Sequence, residues 1–593
     1  MDIFTVTLMV SILIFIAIGS YSGRSVKKLD DYFVAGRRAP TLFIVGTLVA
    51  SVFSTSIFMG EAGFTYDGQF GPYILMPGLA VVGYVYGALL FGTFLRRSRA
   101  PTVAEFFGRR FNSHRVQQAS GITIIIGLGG YLLVVTQGAG ILLSDLTGLS
   151  YFQSIILAWL SYTGFTMYAG SKGVILTDTL MFLMFTAATV FFVFFIVNDF
   201  GGVATAIENM AQLESKPDIA SWHGTVGPGT EWPTPIDYLI WTIIIDVSWG
   251  VVYAVGPWQA SRHLMAKNEH VVVRAALYTC LVVLFMQILI YGIGGLINLA
   301  DPNIAPSETV VIWAAKNLVP EFLGALLLAG IVAAALSSAS TFLSLVGFSV
   351  SNDMLKSETP LDLRTTRTLM LATALIVLVA SFYIPPNLFW MMIFIGTVFA
   401  SSWGPVGFMS IWSKNITADA AFWGIVTGFL FNVIPAGLEY LELISLESYF
   451  NPAIIGAAAS LITIIALSRF GKVNEEEKRY RIELHRTPDI DYDLKKTKTT
   501  MLAPALLVAY GCIMPAVFII YYVIPYQTGA GHLLADGSLD WSRGEALMAL
   551  ASAVLYIPLG LISARVIWNR YSPTAKKNQS DNEQELVADA VGK

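Results

Sequence analysis

The chain has 593 residues, of which 55% are hydrophobic and 13% charged, and its mean hydropathy is +0.66. Soluble domains usually have about 25% charged residues, so this composition excludes a large water-soluble protein and predicts a polytopic membrane protein. The net charge of −4 gives no sign of a nucleic-acid partner. The two cysteines, Cys280 and Cys512, both lie in apolar segments and allow no disulfide framework.

Fifteen apolar segments are candidates for membrane-spanning helices, each of which needs about 20 apolar residues. In chain order they are residues 3–21, 42–65, 71–95, 118–143, 151–169, 175–198, 236–260, 271–297, 319–350, 367–384, 387–412, 419–438, 450–468, 501–524 and 544–567. The first segment has no basic region before it and no clear cleavage site, so we expect a retained helix.

The Lys and Arg residues indicate an orientation, because cytoplasmic loops collect positive charge. With the N-terminus outside, all of the 36 Lys and Arg residues except Lys216, Lys316 and Arg543 fall on the inside. We therefore expect the chain to lie in the lipid bilayer of a bacterial inner (plasma) membrane, with its N-terminus outside and its C-terminus in the cytoplasm.

Two connections between the segments are long. Residues 199–235 are predicted to be external, with a short surface helix near 203–213. Residues 469–500 are highly charged, as is typical of a solvated cytoplasmic linker, and they separate the last two helices from the rest as an appendage. The polar tail, 571–593, is predicted to be disordered.

Residues 330–344, GIVAAALSSASTFLS, place several hydroxyl groups in one apolar segment. Ser337, Ser340, Thr341 and Ser344 share one face of a helix by their spacing of three and four. One interpretation is a packing face whose hydroxyls bond to carbonyls one turn earlier. The other is a group of hard oxygens that binds a small cation at membrane depth.

Two other segments are poorly suited to being continuous helices. Residues 42–65 are rich in Ser, Thr and Gly, and residues 236–260 contain Asp246 and the pair Gly256-Pro257. Proline removes a helical hydrogen bond, and irregular backbone inside a membrane survives only when it lines a cavity or is buried in protein. Independent kinks are one explanation, and a transporter site between two inverted repeats is the other.

The second explanation predicts inverted repeats over about 42–198 and 236–412. In the division of the chain below, the second repeat is extended to residue 415. The predicted parts are an N-terminal helix and loop (1–41), the first repeat (42–198), an external loop (199–235), the second repeat (236–415), two further helices (416–470), a charged linker (471–500), a helix pair (501–570) and a tail (571–593).

Six short motifs, in order along the chain, resemble those of the sodium:solute symporter family, which includes bacterial proline, galactose and sialic acid symporters. They are DYFVAGR at 31–37, PTVAEFF with RRF at 101–111, GVILTD at 173–178, QASRHLMAK at 259–267, AAALSS at 333–338 and WSK at 412–414. The resemblance covers about residues 1–470. It implies an all-α, LeuT-like fold of two inverted five-helix repeats with flanking helices. It also implies symport, in which Na⁺ as the coupling ion drives import of a small organic solute by alternating access.

The resemblance also implies ion ligands. A first sodium site would use the backbone carbonyls of Ala50, Phe53 and Ala334 and the hydroxyls of Ser337 and Ser338. Neutral oxygens on an unwound backbone suit this ion and allow it to leave again.

A second sodium site would use Asp178, Ser337, Ser340 and Thr341. An ionisable residue inside a membrane segment is a functional candidate by default. The alternatives for Asp178 are a way-station on the exit path of the ion and a carrier of a coupled proton.

The solute is expected beside the broken segments, where aromatic rings and a few polar groups would surround it. The candidates are Thr55, Ser56, Met59, Gln69, Phe70, Gln137, Trp249 and Tyr253. Ordinary helix packing is the alternative for each aromatic. Val52 stands where proline symporters have an acidic residue, and segment 118–143 lacks a basic residue of the kind that would bind a sialic acid carboxylate. The solute therefore stays unnamed.

Glu61 and Asp246 lie near the external side of the broken segments. They are interpreted either as groups that favour a cationic solute or as solvated vestibule carboxylates.

Other functions are less well supported. A proton-coupled symporter and a non-transporting sensor of the same fold remain alternatives, although the cytoplasmic segments contain no domain-sized soluble region. An enzyme is not expected, because the apolar segments contain no group of His, Cys or paired carboxylates at catalytic spacing. The sequence gives no oligomeric state.

Overall fold

The structure, a computed structural model, describes residues 3–24, 29–76, 78–354 and 362–573, and these residues are overwhelmingly helical. Within them, thirteen helices are long and apolar enough to cross a membrane. They are Ile3–Tyr21, Gly78–Ser98, His114–Thr147, Gly170–Asp199, Pro235–Met265, Glu269–Leu299, Glu321–Asp353, Leu363–Tyr383, Leu388–Trp412, Ala418–Tyr440, Pro452–Phe470, Leu494–Gly529 and Gly544–Tyr571. The prediction of an all-helical membrane protein is confirmed.

Two of the fifteen predicted segments are not among these thirteen. Residues 42–65 are divided into short pieces, and residues 151–169 join the next segment in one helical stretch, Tyr151–Asp199, with a kink at Gly170. Gly170 has a φ of 54°, a left-handed conformation that a residue with a side chain rarely adopts. The count of fifteen therefore remains a prediction.

The first broken helix consists of Thr41–Ala50 and Ser56–Glu61 and continues as Ala62–Phe64 and Thr65–Gln69. Between its halves, the backbone N–H of Ser56 donates to the side chain of Ser54 at 3.2 Å instead of continuing a regular helix. Serine side chains compete in this way with helical hydrogen bonds, which explains why a Ser- and Thr-rich stretch breaks the helix.

The second broken helix consists of Pro235–Val255 and Pro257–Met265. Gly256 separates the halves with an extended ψ of 138°, and Pro257 has no N–H with which to continue the ladder. The two broken helices touch near their breaks, where Gln259 Nε2 donates to Ser51 Oγ at 3.3 Å. The sequence therefore predicts both breaks correctly, and the fold brings them together.

The serine helix, Glu321–Phe348, carries the hydroxyl-rich stretch and is buried along almost its whole length from Gly324 onward. A second close approach brings the first broken helix against the helix that carries Asp178. A Cβ atom at Gly46 would lie 2.6 Å from Thr179 Oγ1 and 2.8 Å from Thr179 Cα. Only glycine therefore allows these backbones to lie so close together.

The last two helices pack against the rest of the chain. Tyr556 donates its hydroxyl to the carbonyl of Gly78 at 2.8 Å, and Arg570 donates to the carbonyl of Leu89 at 3.0 Å. Tyr522 donates to the carbonyl of Ala220 at 2.8 Å. The picture of an appendage needs correction, because buried polar contacts fix this pair to the core.

The charged linker is also more ordered than a solvated spacer. It contains the helix Glu475–His485 and the short helix Leu494–Thr500. Arg97 donates to the carbonyl of Leu484 at 2.8 Å, so the linker is bound to the bundle by a backbone contact. The long connection at 199–235 contains the helix Val203–Ala211, as predicted. The expectation for the tail falls almost wholly outside the described residues.

Candidate functional site

Four oxygen atoms meet where the serine helix crosses the break in the first broken helix. Ser338 Oγ lies 3.2 Å from the carbonyl oxygen of Ala50 and 3.3 Å from that of Phe53. Ser337 Oγ lies 3.3 Å from the carbonyl oxygen of Ala50. All four residues are fully buried. The structure therefore brings together four of the five residues predicted for the first sodium site.

These oxygens are spaced more widely than in an ordinary hydroxyl hydrogen bond, which is about 2.7–2.8 Å long. They are neutral and hard, and two of them are carbonyls released by the break. Such a set suits a small cation such as Na⁺, which releases easily because no fixed charge holds it. Ala334 is buried one turn before Ser338, and a role for its carbonyl remains a prediction.

Asp178 lies next to this group and is fully buried. Its Oδ1 accepts a hydrogen bond from Ser337 Oγ at 2.6 Å, and its Oδ2 accepts one from Thr47 Oγ1 at 2.5 Å. The carboxylate thus links the serine helix to the first half of the first broken helix. The sequence interpretation of Asp178 as a functional candidate fits this central position.

Arg262 occupies the space where the second sodium ion was expected. Its Nη2 lies 3.8 Å from Asp178 Oδ2 and donates to Thr341 Oγ1 at 2.5 Å. The hydroxyl of Ser340 bonds back to the carbonyl of Ser337 at 2.8 Å. In this conformation a guanidinium supplies the positive charge beside Asp178, so the second sodium site remains a prediction for another state.

A cavity of about 50 Å³, called the aromatic cavity, lies beside the second broken helix, and the first broken helix contributes Glu61 to its lining. Its aromatic walls are Tyr73, Trp241, Trp249, Tyr253 and Tyr291. Its polar lining groups include Glu61, Thr242, Asp246 and Gln287. This is a site with aromatic walls and a few polar groups, as is typical of sites for small molecules.

Two of the eight predicted solute residues, Trp249 and Tyr253, line the aromatic cavity. The six that do not line it are Thr55, Ser56, Met59, Gln69, Phe70 and Gln137. The amide of Gln69 donates to the carbonyl of Thr225 at 2.8 Å, and that of Gln137 donates to the carbonyl of Ile384 at 2.5 Å. These amide donors join segments of the chain, which explains why they are absent from the lining.

Several residues of these sites received no role from the sequence. Gln287 and Tyr291 are four residues apart and share one face of the helix Glu269–Leu296. A glutamine and a tyrosine on one face of an apolar helix are a signal that a cavity lies there. Arg262 lies inside the motif at 259–267, but its partner Asp178 is 84 positions away in the chain. The spacing of residues along the sequence does not predict a contact over that distance.

A larger cavity of about 850 Å³ is separated from the aromatic cavity by Trp241, Ile245 and Ile393, which line both. We call it the acidic vestibule. Its glutamates are Glu231, Glu439, Glu442 and Glu447. Burial raises the pKa of Glu231, and the negative charge of Glu439 raises it further. This cavity includes Trp232 of the 199–235 connection, so it opens on that face of the molecule.

Comparison with known proteins gives the geometry a context. The sodium/pantothenate symporter of Escherichia coli is 22% identical over 459 residues, which are 75% of this chain and 91% of that protein. The sodium/sialic acid symporter NanT of Aliivibrio fischeri is 24% identical over 76% of this chain and 84% of its own length. The high-affinity proline transporter PutP of Bacillus subtilis is 22% identical over 76% of this chain and 94% of its own.

Solved structures share the fold. A Na⁺-coupled sialic acid symporter in a substrate-bound outward-open state matches with a TM-score of 0.68 at 18% identity, over 80% of this chain and 99% of that one. A closed transporter of the nucleobase-cation-symport-1 family matches with a TM-score of 0.51 at 13% identity, over 77% of this chain and 99% of its own. The expected LeuT-like architecture is confirmed.

The model of the sodium:solute symporter family matches residues 32–428, which include both broken helices and the serine helix. The relatives are transporters and not enzymes. Sodium-coupled symport is therefore the activity of this integral membrane protein, and Na⁺ is its coupling ion. The chain belongs to the sodium:solute symporter family.

Proposed function

We propose that the protein imports a small organic solute across the bacterial inner membrane by alternating access, driven by Na⁺ moving down its gradient. The distribution of Lys and Arg supports an external N-terminus and a cytoplasmic C-terminus. In that orientation the acidic vestibule opens to the outside through the 199–235 connection.

The observation that carries the proposal is the contact of Ser338 with two carbonyls of the broken backbone, at 3.2 and 3.3 Å. We assign the first sodium site to Ala50, Phe53, Ser337 and Ser338, with the carbonyl of Ala334 as an added ligand. The hydroxyl of Ser338 donates only weakly to the carbonyls, and that of Ser337 donates to Asp178. The oxygens of both hydroxyls and both carbonyls are therefore available as ligands for Na⁺.

This position explains how ion binding is coupled to conformation. The ion joins the first broken helix to the serine helix, and we propose that these two elements move relative to each other during alternating access. A ligand shifts an equilibrium only by its difference in affinity between two states. Na⁺ therefore favours the state in which these two helices hold the four oxygens together, and that state also shapes the neighbouring solute site.

We propose that one Na⁺ is bound in the conformation described and that one Na⁺ is transported per cycle. The guanidinium of Arg262 supplies the positive charge next to Asp178 and binds Thr341. A second ion at Asp178, Ser340 and Thr341 requires Arg262 to leave. Proton coupling through Asp178 would require the same departure, because an ion pair with Arg262 favours the charged carboxylate.

The solute is assigned to the aromatic cavity, with Trp249 and Tyr253 in its wall. Because both broken helices contribute lining residues, movement of either helix would change access to the cavity.

Uptake by purified protein in liposomes tests the proposal. The solutes of the relatives and a set of small amines, sugars and nucleosides are offered under an inward Na⁺ gradient, an equal K⁺ gradient or a pH gradient. We expect one chemical class to accumulate under the Na⁺ gradient only. Accumulation driven by the pH gradient alone would instead support proton coupling. Na⁺ binding without transport of any solute would support a sensor.

A further inference from the structure

The aromatic cavity contains buried hydrogen-bonding groups without partners among the described residues, and they include the donor Trp249 Nε1 as well as acceptors. Glu61 is only 9% exposed, and its Oε2 has no hydrogen-bond partner among the described residues. Gln287 is 5% exposed, and its Oε1 likewise has none. Asp246 is half-buried in the same lining. Buried polar groups without partners cost free energy, so this cavity suits a polar or charged ligand.

The charges of the lining residues favour a ligand with positive charge. Of the described residues that line the aromatic cavity, two are acidic and none is Lys, Arg or His. Two carboxylates facing a small space, with no cation in its wall, are poorly compensated. An anionic solute would add a third negative charge, a neutral one would leave the pair to be neutralised by protons, and a cationic one compensates it directly.

The walls of the cavity suit an alkylated cation. Tyr73 and Tyr291 meet edge to face with ring centroids 4.8 Å apart, and Trp249 and Tyr253 lie 5.7 Å apart at an angle of 51°. Aromatic faces attract ammonium groups, and several rings around one space are a recognised way to bind quaternary ammonium. The volume of about 50 Å³ leaves room for a compact head group only.

The acidic vestibule, which adjoins the aromatic cavity, is also lined by negatively charged side chains. The acidic vestibule has four glutamates and, among its described lining residues, no basic one. Clefts lined by one sign of charge raise the local concentration of the opposite ion. Trp241 borders both cavities, so a cation concentrated in the acidic vestibule reaches an aromatic surface before the buried carboxylates.

We propose that the transported solute is an organic cation with a compact ammonium head group, held between Glu61 and Asp246 by the rings of the aromatic cavity. The inference rests on the proposed transport function and names the solute class of that same site. It also sets this chain apart from relatives named for pantothenate and sialic acid, both of which are carboxylates.

Binding of a matched pair of probes to the purified full-length protein in Na⁺ buffer tests the proposal. The probes are choline and its neutral analogue, in which a quaternary carbon replaces the nitrogen. The readouts are the thermal shift and the fluorescence of the tryptophans. The variants are Glu61→Gln, Asp246→Asn and the control Glu321→Gln, which changes an exposed carboxylate outside the cavity.

We expect choline to bind wild type and Glu321→Gln, and its neutral analogue to bind neither. Glu61→Gln should weaken choline binding about 10- to 100-fold, because it removes one of the two negative charges that face the cation. Its stabilisation by Na⁺ alone should be unchanged, which shows that the variant is folded and keeps the sodium site.

Equal binding of the two probes, or choline binding that survives both cavity substitutions, would overturn the proposal. So would saturable binding of pantothenate, proline or sialic acid that depends on the aromatic cavity. If Na⁺ did not stabilise the wild-type protein, the proposed function would be contradicted but the solute class would not. Failure of the proposed function is therefore distinguishable from failure of the solute class.

Discussion

One side chain, Arg262, determines what the carboxylate of Asp178 can do. Both side chains are almost completely buried, with exposures of 3% and 0%. A buried charge pair contributes little to net stability, but removing one partner is costly because the other charge remains uncompensated. The pair is therefore a point where a cation from solution and a cation of the protein compete for the same place.

Replacing Arg262 should admit a second ion. In Arg262→Gln the charge of Asp178 loses its partner, and Na⁺ is the available replacement, with Ser340 and Thr341 nearby as neutral ligands. We expect the midpoint temperature of unfolding to depend more steeply on Na⁺ concentration than in wild type. Thermal unfolding over a Na⁺ series, with K⁺ holding the ionic strength constant, measures this slope.

The double variant Asp178→Asn with Arg262→Gln is the control, because it contains neither charge and should return to the wild-type slope. Asp178→Asn alone should be destabilised by about 3–5 kcal/mol, because it leaves the guanidinium buried and unpaired. An unchanged Na⁺ slope in Arg262→Gln would contradict the competition between the arginine and an ion.

At the scale of elements, the close approach of two helices determines how near the first broken helix lies to Asp178. Gly46 lies against Thr179, the neighbour of Asp178, with no space for a methyl group. Gly46→Ala should push the first broken helix away from Asp178 and cost about 1–3 kcal/mol, as overpacking usually does. It should also weaken the Na⁺ response, because Thr47 moves with it.

Gly164→Ala is a matched control for this prediction. Gly164 lies in the same helical stretch as Asp178, and a Cβ atom there would have no heavy atom within 4 Å. Alanine favours helix more than glycine does, so this variant should be at least as stable as wild type. Thermal unfolding of both variants with and without Na⁺ distinguishes crowding at Gly46 from a general effect of alanine.

Some features of these elements can be predicted from the sequence, and others cannot. Local chemistry predicts both breaks, because Gly256-Pro257 and the serine-rich stretch after Ala50 disrupt a helix wherever they occur. Ser337 and Ser338 were assigned from a motif, and the structure places them on the carbonyls of the first break. The ion pair of Arg262 with Asp178 and the lining of the aromatic cavity depend on contacts between distant segments, which neither spacing nor composition encodes.

At the scale of the whole molecule, a buried ion pair connects the bundle, the linker and the last helix. Arg97 Nε lies 2.5 Å from Glu269 Oε1, and Tyr571 donates to Glu269 Oε2 at 2.7 Å. Arg97 also donates to Thr487 of the linker at 3.1 Å. Three distant parts of the chain therefore share one charged group, which explains why the last two helices are not an appendage.

Glu269→Ala should destabilise the protein by about 3–5 kcal/mol, because it leaves the guanidinium of Arg97 buried without a negative charge to compensate it. Glu475→Ala removes the exposed partner of Lys478 and should change stability by less than about 1 kcal/mol. Limited proteolysis together with thermal unfolding measures both. Equal resistance of the linker in the two variants would contradict a structural role for this ion pair.

The central claim is that Na⁺ binds where the serine helix meets the first break, and equilibrium binding of radioactive Na⁺ to purified protein tests it most directly. Ser344→Ala is the matched control, because the hydroxyl of Ser344 only bonds back to the carbonyl of Ser340 at 2.8 Å. We predict one saturable, K⁺-insensitive Na⁺ per chain in wild type and in Ser344→Ala. In Ser338→Ala, we predict affinity about tenfold or more lower, which corresponds to losing about 1.4 kcal/mol from one ligand. Undiminished Na⁺ affinity in Ser338→Ala would contradict the account.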